Sequence, residues 1–353
     1  MERKVSDRSS RQRVVAKRLA DDLGVSVSTI SRAFSPEAVI APETRERVLK
    51  HAAEIGYKPN PYAQSLITRR SKIAGVIVSD IANPYYPEVL TGLTGALQEA
   101  GLNVMLFTGA AGETADKVLP LALHYQPDIV VVLAATLSFR AALESIEAGT
   151  NLIFFNRYVP DTPTHSVTCD NLRGGAEVAD HLLSLGHRRL AYIAGPLDAT
   201  TNSDRWEGYS SRCRERGVEQ LQHEEAGAFS HDAGYAAASR LLASESPPQS
   251  IFCANDLLAM GALDAARRAF GLQVPRDLSI VGFDDISMAA WPSLALTTYR
   301  QPTRRMIATT IDLVRKVIAD PDLKPVSKRV AGRLVVRETT GERGDEAKEH
   351  GHV

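Results

Sequence analysis

Cysteine is scarce in this sequence, with three among 353 residues, and none is placed as a metal or redox site requires. Cys169, Cys213 and Cys253 lie about forty residues apart with no CxxC pair and no Cys/His ligand spacing, which argues against both a disulfide framework and a zinc site. They read as small buried hydrophobes. Long apolar runs are also missing, and the opening MERKVSDRSS is charged where an export signal needs an apolar core. The expectation is a cytoplasmic chain that does not engage a membrane. No GxGxxG follows a strand, and GxxxxGK[ST], GxSxG and HExxH do not occur. A catalytic reading therefore lacks a nucleophile, a metal and a cofactor site, so no enzyme activity, no cofactor and no metal are expected.

What is present is a globular composition, 44% apolar and 24% charged, in a chain longer than one core usually supports. Two or three domains are expected. The net charge of −1 conceals an asymmetry: residues 1–72 hold 15 Lys/Arg against 8 Asp/Glu, leaving 26 against 34 for the remainder. A basic head on an acidic body attracts a polyanion such as DNA to the head alone, although a solvated basic face gives the same count.

The head contains GVSVSTISRAF, residues 24–34. Gly24 suits a tight turn, Ser26 an N-cap, and Val27, Ser28 and Arg32 the exposed leading face of a helix, with Ser28 and Arg32 one turn apart. Upstream, Val15, Leu19 and Leu23 repeat every four residues, with Ala16 and Ala20 permitting close helix approach. Ile30 and Phe34 continue the apolar stripe on the second helix. Downstream, PETRERVLKHAAEIG predicts a third helix that opens at Pro42, buries Val48, Ala52 and Ile55, and stops at Gly56. Three such helices form a helix-turn-helix domain, while the central stretch taken alone fits an ordinary αα-hairpin equally well. Residues 57–72, YKPNPYAQSLITRRSK, read either as a linker or as a short helix that folds on DNA, capped by Asn60 and opened by Pro61.

From Ile73 the texture changes to apolar runs alternating with helical stretches, the pattern of parallel sheets covered by helices. IAGVIVSD, LNVMLFTG, DIVVVLA and LIFFNRY predict one sheet of at least four strands; SVTCDN, RRLAYIAGP, SIFCANDL and LSIVGFDD predict a second set. Ligands of open α/β sheets bind beyond the carboxyl ends of strands. There stand Asp80, Asn83, Asn156, Arg157, Asp170, Asn171, Asn255, Asp256, Asp284 and Asp285, with Arg205 opening a helix nearby. Such groups pair with hydroxyls or carboxylates, and Tyr85, Tyr86, Phe229 and Trp291 offer flat apolar faces, although each polar residue alone is equally a cap or turn former.

Residues 14–340 resemble the lactose-repressor (LacI/GalR) family of bacterial transcription regulators. The resemblance is carried by GVSVSTISRAF, PETRERVLKHAAEIGYKPNPYAQSL, IAGVIVSDIANPYYPEVLTGL, CDNLRGGAEVADHLLSLGHRRLAYIAGP, DRWEGY, CANDLLAMGAL, VPRDLSIVGFDDI and LTTYRQP. It implies an α/β protein with an N-terminal three-helix helix-turn-helix headpiece at 11–59. A hinge helix and linker follow at 60–71, then a two-lobed periplasmic-binding-protein-like (type I) body at 72–340. Lobe 1 is expected at about 72–160 and 303–330, lobe 2 at about 161–300 and 331–340, and a disordered tail at 341–353.

The resemblance also implies roles. Val27, Ser28, Thr29 and Arg32 fall on the base-reading helix, while Ala63 and Leu66 fall on the hinge, with Leu66 as a minor-groove wedge. Asn83, Tyr85, Asn156, Arg205, Phe229, Asn255 and Asp284 match effector-contact positions. Asn156 replaces a frequent Asp, and Ile67 stands where several members carry a basic residue. The implied partners are a double-stranded DNA operator, a sugar or sugar-derived acid as effector, and a second copy in a homodimer, with a tetramer as the alternative. Ligand closing the inter-lobe cleft is expected to release the operator.

Overall fold

The computed structural model describes residues 16–35, 38–59, 70–78, 81–109, 114–133 and 138–342. The expected hinge positions Ala63 and Leu66, the strand-end Asp80 and the two tails lie outside the described residues. The chain divides into two units, Met1–Lys72 and Ile73–Val353, each considered by itself.

In the first unit, α1 (Ala16–Leu23), α2 (Val27–Ala33) and α3 (Pro42–Glu54) surround a small core. Leu19, Ala20, Ile30, Ala33, Val48 and Ala52 form that core, with Leu23, Phe34, Ile55 and Tyr57 packed on its edge. Half of the central six are alanine, so the helices approach closely. Gly24 turns the chain between α1 and α2 at φ 66°, a left-handed conformation that disfavours a Cβ. The Val25 N–H then closes onto the Ala20 carbonyl at 3.0 Å. Pro42 opens α3, and Gly56, at φ 69°, follows its end.

The second unit runs β1 (Ile73–Val78), α4 (Tyr85–Glu99), β2 (Asn103–Thr108), α5 (Leu119–His124), β3 (Ile129–Leu133), α6 (Phe139–Glu147), β4 (Leu152–Phe155) and β5 (His165–Cys169). It continues with α7 (Asn171–Ser184), β6 (Arg189–Ala194), α8 (Thr200–Glu215), β7 (Gln220–Glu225), α9 (His231–Leu242), β8 (Ser250–Cys253), α10 (Asp256–Asp264) and β9 (Ser279–Asp284). The last elements are β10 (Thr297–Arg300), α11 (Thr303–Ala319), β11 (Ser327–Val330) and β12 (Arg333–Val335). Two six-stranded sheets result, in the orders β2-β1-β3-β4-β5-β11 and β7-β6-β8-β9-β10-β12. Every described pairing is parallel except β10 with β12. β3 (IVVVL) and β4 (LIFF) are buried throughout, as strands covered by helices on both faces must be.

One expectation is corrected. SVTCDN was placed in the second set, and lobe 2 was begun at about 161. The strand His165–Cys169 instead pairs in parallel with β4, Ile153 opposite His165, and belongs to the first sheet. The nine residues between β4 and β5 carry no complete crossover helix to the other lobe, and β5 is flanked on its far side by β11. The chain first leaves this sheet at Asp170, where α7 begins. It returns after Arg300 and passes across again at Ala331 and Gly332, between β11 and β12. Gly332 is required there, since a Cβ would overlap the Arg300 carbonyl.

The three cysteines are free and buried. Burial pushes the thiols of Cys169 and Cys213 up to about 12.

Candidate functional site

Two surfaces bear on function, one in each unit. In the first, Ser26 caps α2 by accepting the Thr29 N–H at 3.1 Å, and its hydroxyl also meets those of Ser28 (2.7 Å) and Thr29 (2.8 Å). This satisfies a donor that a helix start otherwise leaves open. Ile30 and Ala33 point into the core, so the opposite face carries Val27, 48% exposed, together with exposed Ser28 and Arg32; Thr29 is half-buried. A valine left open at the first position of a polar helix face offers an apolar contact beside a hydroxyl and a guanidinium. That combination suits base edges, thymine methyl groups and phosphates. Lys17 and Arg18 on α1, and Arg47 and Lys50 on α3, are also exposed.

In the second unit, both sheets have the same strand order, with the second strand placed outside the first. Each therefore has a topological switch point where its first and third strands adjoin, the place at which open α/β sheets bind ligands. In the second sheet that point lies beyond the carboxyl ends of β6 and β8, at Gly195 and Ala254. Arg205, on α8, fills it. Only 2% exposed, its guanidinium donates from Nε to Asn171 Oδ1 (2.9 Å), from Nη1 to the Ala254 carbonyl (2.5 Å) and from Nη2 to Asp284 Oδ1 (3.3 Å). Its Cζ stands 3.6 Å from the centroid of the Phe283 ring. Three acceptors and an aromatic face fix a buried cation in one orientation.

Asp284 lies at φ 117° and Asp285 at φ 59°, which turns the chain sharply at the end of β9. The turn presents the two carboxylates to different partners. Asp284 also accepts from Gln301 Nε2 at 2.7 Å; Asp285 is bound by Arg300 and by Arg337, the latter at 2.7 Å. Gln301 stands on the segment that returns to the first sheet, so the buried ion pair is hydrogen-bonded to a lobe crossing. Burial raises the pKa of Asp284, with Arg205 pulling the other way, and raises that of Asp256 further. Asp256 accepts from Thr298 and from the Ile286 N–H but has no arginine in hydrogen-bond range among the described residues.

From the first sheet, β4 ends at Asn156, 3% exposed and left-handed at φ 69°. Its Nδ2 approaches the Tyr86 hydroxyl at 3.5 Å, and its Oδ1 has no partner. Tyr86 packs edge-on to Tyr85, whose N–H is accepted by Asn83 Oδ1 at 3.1 Å. Burial raises the pKa of both phenols; Asp284 adds to it, and Arg157 works against it at Tyr86. Arg157 lies with its Cζ 5.9 Å from the centre of the Phe229 ring, and Phe229 occupies the space a side chain at Gly195 would fill.

The structure thus sets Arg205 and Asp284 together, with Asn156 of the other lobe at Tyr86 and the Phe229 ring beside Arg157 and Gly195. Asn255 is adjacent, but its Oδ1 caps α10 by accepting the Leu258 N–H at 3.0 Å; Asn83 likewise braces the start of α4. Tyr86, more than Tyr85, presents its hydroxyl to Asn156. Trp291, considered for a flat face, is 51% exposed in the turn after Ser287–Ala290. Sequence reading missed Gln301, a lone polar residue after a short strand, although LTTYRQP contains it.

Residues 17–60 match the model described as bacterial regulatory proteins, lacI family, and residues 179–340 that of a periplasmic binding protein-like domain. The HTH-type transcriptional regulator CelR of Thermobifida fusca is 32% identical, over 93% of this chain and 99% of its own. The repressor CytR of Escherichia coli is 33% identical, over 79% and 82%. Among solved structures, the lac repressor dimer bound to operator and the anti-inducer ONPF matches with TM-score 0.83 at 25% identity, covering 94% of this chain and all of that one. A CelR–cellobiose complex matches with TM-score 0.69 at 30% identity, over 93% and 100%. With a helix-turn-helix head, a doubly wound two-sheet body and relatives matched along nearly their whole length, the chain belongs to the LacI family and is a DNA-binding transcriptional regulator.

Proposed function

We propose that this chain is a cytoplasmic repressor that holds a pseudo-palindromic operator as a homodimer and releases it when a sugar or sugar-derived acid binds between its lobes. In this reading residues 11–59 are the headpiece, 60–71 the hinge, and the remainder to about 340 the effector-binding body. Val27, Ser28, Thr29 and Arg32 contact the major groove, and Ala63 and Leu66 the minor groove. Asn83, Tyr85, Asn156, Arg205, Phe229, Asn255 and Asp284 line or brace the effector site. The dimer matches the two-fold symmetry of a paired half-site.

The observation that carries the reading is the hydrogen bond that Gln301 Nε2 donates to Asp284. A ligand that competes for Asp284 or Arg205 acts directly on one of the three segments joining the lobes. A ligand shifts a conformational equilibrium only through contacts that differ between its two states, and these groups supply such contacts. The relatives support the same direction: CytR is named a repressor, and CelR has been solved with cellobiose. No helix among the described residues is long and apolar enough to cross a membrane.

Selection of the full-length protein against random duplex DNA, without ligand, tests the reading. The expected product is a near-palindrome whose binding weakens steeply with salt, as phosphate contacts require. A folded dimer that enriches no sequence, with or without added metabolites, rules the proposal out.

A further inference from the structure

We infer that the effector carries an acidic group and that Arg157 receives it. The inference rests on the reading of the inter-lobe cluster as the effector site. The starting point is a guanidinium that no carboxylate pairs. Two guanidiniums, Arg157 and Arg205, face the cluster, and among the described residues Arg205 alone of the two has a carboxylate within ion-pair distance. Asp284 is already occupied by Arg205 and Gln301, and Asp285 by Arg300 and Arg337. Asp256 is enclosed by Thr298 and the Ile286 N–H. Asp204 accepts the Tyr158 hydroxyl at 3.0 Å.

Arg157 is half-buried, and its Nε is dry with no acceptor. Its neighbours are the Phe229 ring, a weak partner for a cation at 5.9 Å, and, beyond hydrogen-bond range, Asp284 and the Tyr86 hydroxyl, which its charge reaches. The buried Nε is a donor left unpaired, a cost that a ligand's acceptor would relieve, while the rest of the half-buried guanidinium stays open to an incoming group. The planar fork suits a carboxylate or phosphate held by two parallel hydrogen bonds. In the same cluster, the neighbouring Asn156 Oδ1 and the Oε1 of Gln301, whose amide binds Asp284, are buried acceptors without donors. The complementary molecule therefore has an anionic end for Arg157 and hydroxyls to donate to these two amide oxygens. That describes a sugar acid better than a neutral sugar, which brings hydroxyls but no counter-charge.

The test uses full-length protein and two pools at equal concentration and ionic strength. One pool holds glucose, galactose, xylose, arabinose and ribose; the other holds gluconate, glucuronate, galacturonate and xylonate. Thermal unfolding is followed in each, with titration of the active component. The expected result is a rise in Tm with the acid pool alone. Arg157→Gln should weaken apparent affinity for the active acid by roughly tenfold or more. Arg157→Lys should recover part of it, and Arg140→Gln, a surface change on α6, should bind as the unaltered protein does. Stabilisation by the neutral pool alone overturns the acidic assignment and leaves the effector site standing. An acid response that Arg157→Gln does not weaken overturns the role of Arg157. Response to neither pool overturns both the inference and the sugar-like effector reading beneath it.

Discussion

Asp284 and Arg205 form a buried ion pair, Nη2 to Oδ1 at 3.3 Å, whose carboxylate oxygen also accepts from Gln301 at 2.7 Å. Arg205→Ala leaves that carboxylate dry and without its cation, a change that costs about 3–5 kcal/mol when a buried pair loses one partner. In a body of this size Tm should fall by roughly 6–20 °C. Asp284→Asn keeps an acceptor for Gln301 and should cost less. Calorimetry of both variants decides: a loss for Asp284→Asn as large as that for Arg205→Ala would show that the charge of Asp284, and not its role as acceptor, is what the site needs.

The headpiece separates stability from recognition. Ser26→Ala removes the cap of α2 and should cost about 1 kcal/mol, read as earlier unfolding of the headpiece. Arg32→Ala should leave folding intact yet weaken binding to the selected operator by roughly five- to hundredfold, about 1–3 kcal/mol. Circular dichroism paired with a DNA titration distinguishes the two, and an Arg32→Ala protein with undiminished affinity would remove Arg32 from the interface.

Close helix packing sets the position of Arg205. A Cβ at Gly208 would overlap the Leu172 carbonyl, and one at Gly175 would overlap the carbonyl of Arg205 itself. Gly208→Ala must therefore push α7 and α8 apart, moving Asn171 and Arg205 off their shared hydrogen bond. A loss of about 3 kcal/mol or more is expected, together with weakened effector response. Denaturant titration gives the first quantity and ligand-induced Tm shifts the second; normal stability would show that the helices have slack.

The two units should answer acid with opposite signs. The pKa of His51 is raised by its hydrogen bonds to Glu54 and Asp22, so its contribution to headpiece stability is complete below the unfolded value of 6.5 and is lost as pH rises through the folded pKa. Burial lowers that of His165, whose Nδ1 accepts the Val326 N–H at 3.2 Å and so holds the start of β11. Its contribution is complete above 6.5 and disappears as pH falls through the folded pKa. Unfolding of His51→Gln and His165→Asn between pH 5 and 8 should flatten the two opposing slopes, and slopes unchanged by either substitution would count against the assignment.

Much of the architecture was legible because burial on two faces imposes an unmistakable composition: IVVVL and LIFF have little alternative to a central strand. The three headpiece helices were equally readable from Gly24, Ser26, Pro42 and Gly56, since each has a local geometric task. Sheet membership is different. HSVTC reads alike in either lobe, and only its pairing with β4 assigns it to the first sheet. The edge strand QLQHEE has polar residues at most positions and gives no apolar run at all. In the cluster, Arg205 and Asp284 stood out by their places beyond strand ends and gained their effector role from the family resemblance, whereas Gln301 and the unpaired guanidinium of Arg157 depend on distances that no local pattern encodes.

The passage of β11 into the first sheet after most of the second has been formed has a consequence for synthesis. Translation reaches the first lobe at Ile73, but α11, which packs on β4 and β5, does not emerge until after Thr303, and the β11 edge not until Val330. The nascent first lobe thus waits with β5 unpaired on one side while the second lobe is made. Such exposed edges and long-range closures slow folding and invite contact between chains. During that interval the growing chain has the greatest need of a chaperone, and slowing translation between α7 and α11 should lengthen it.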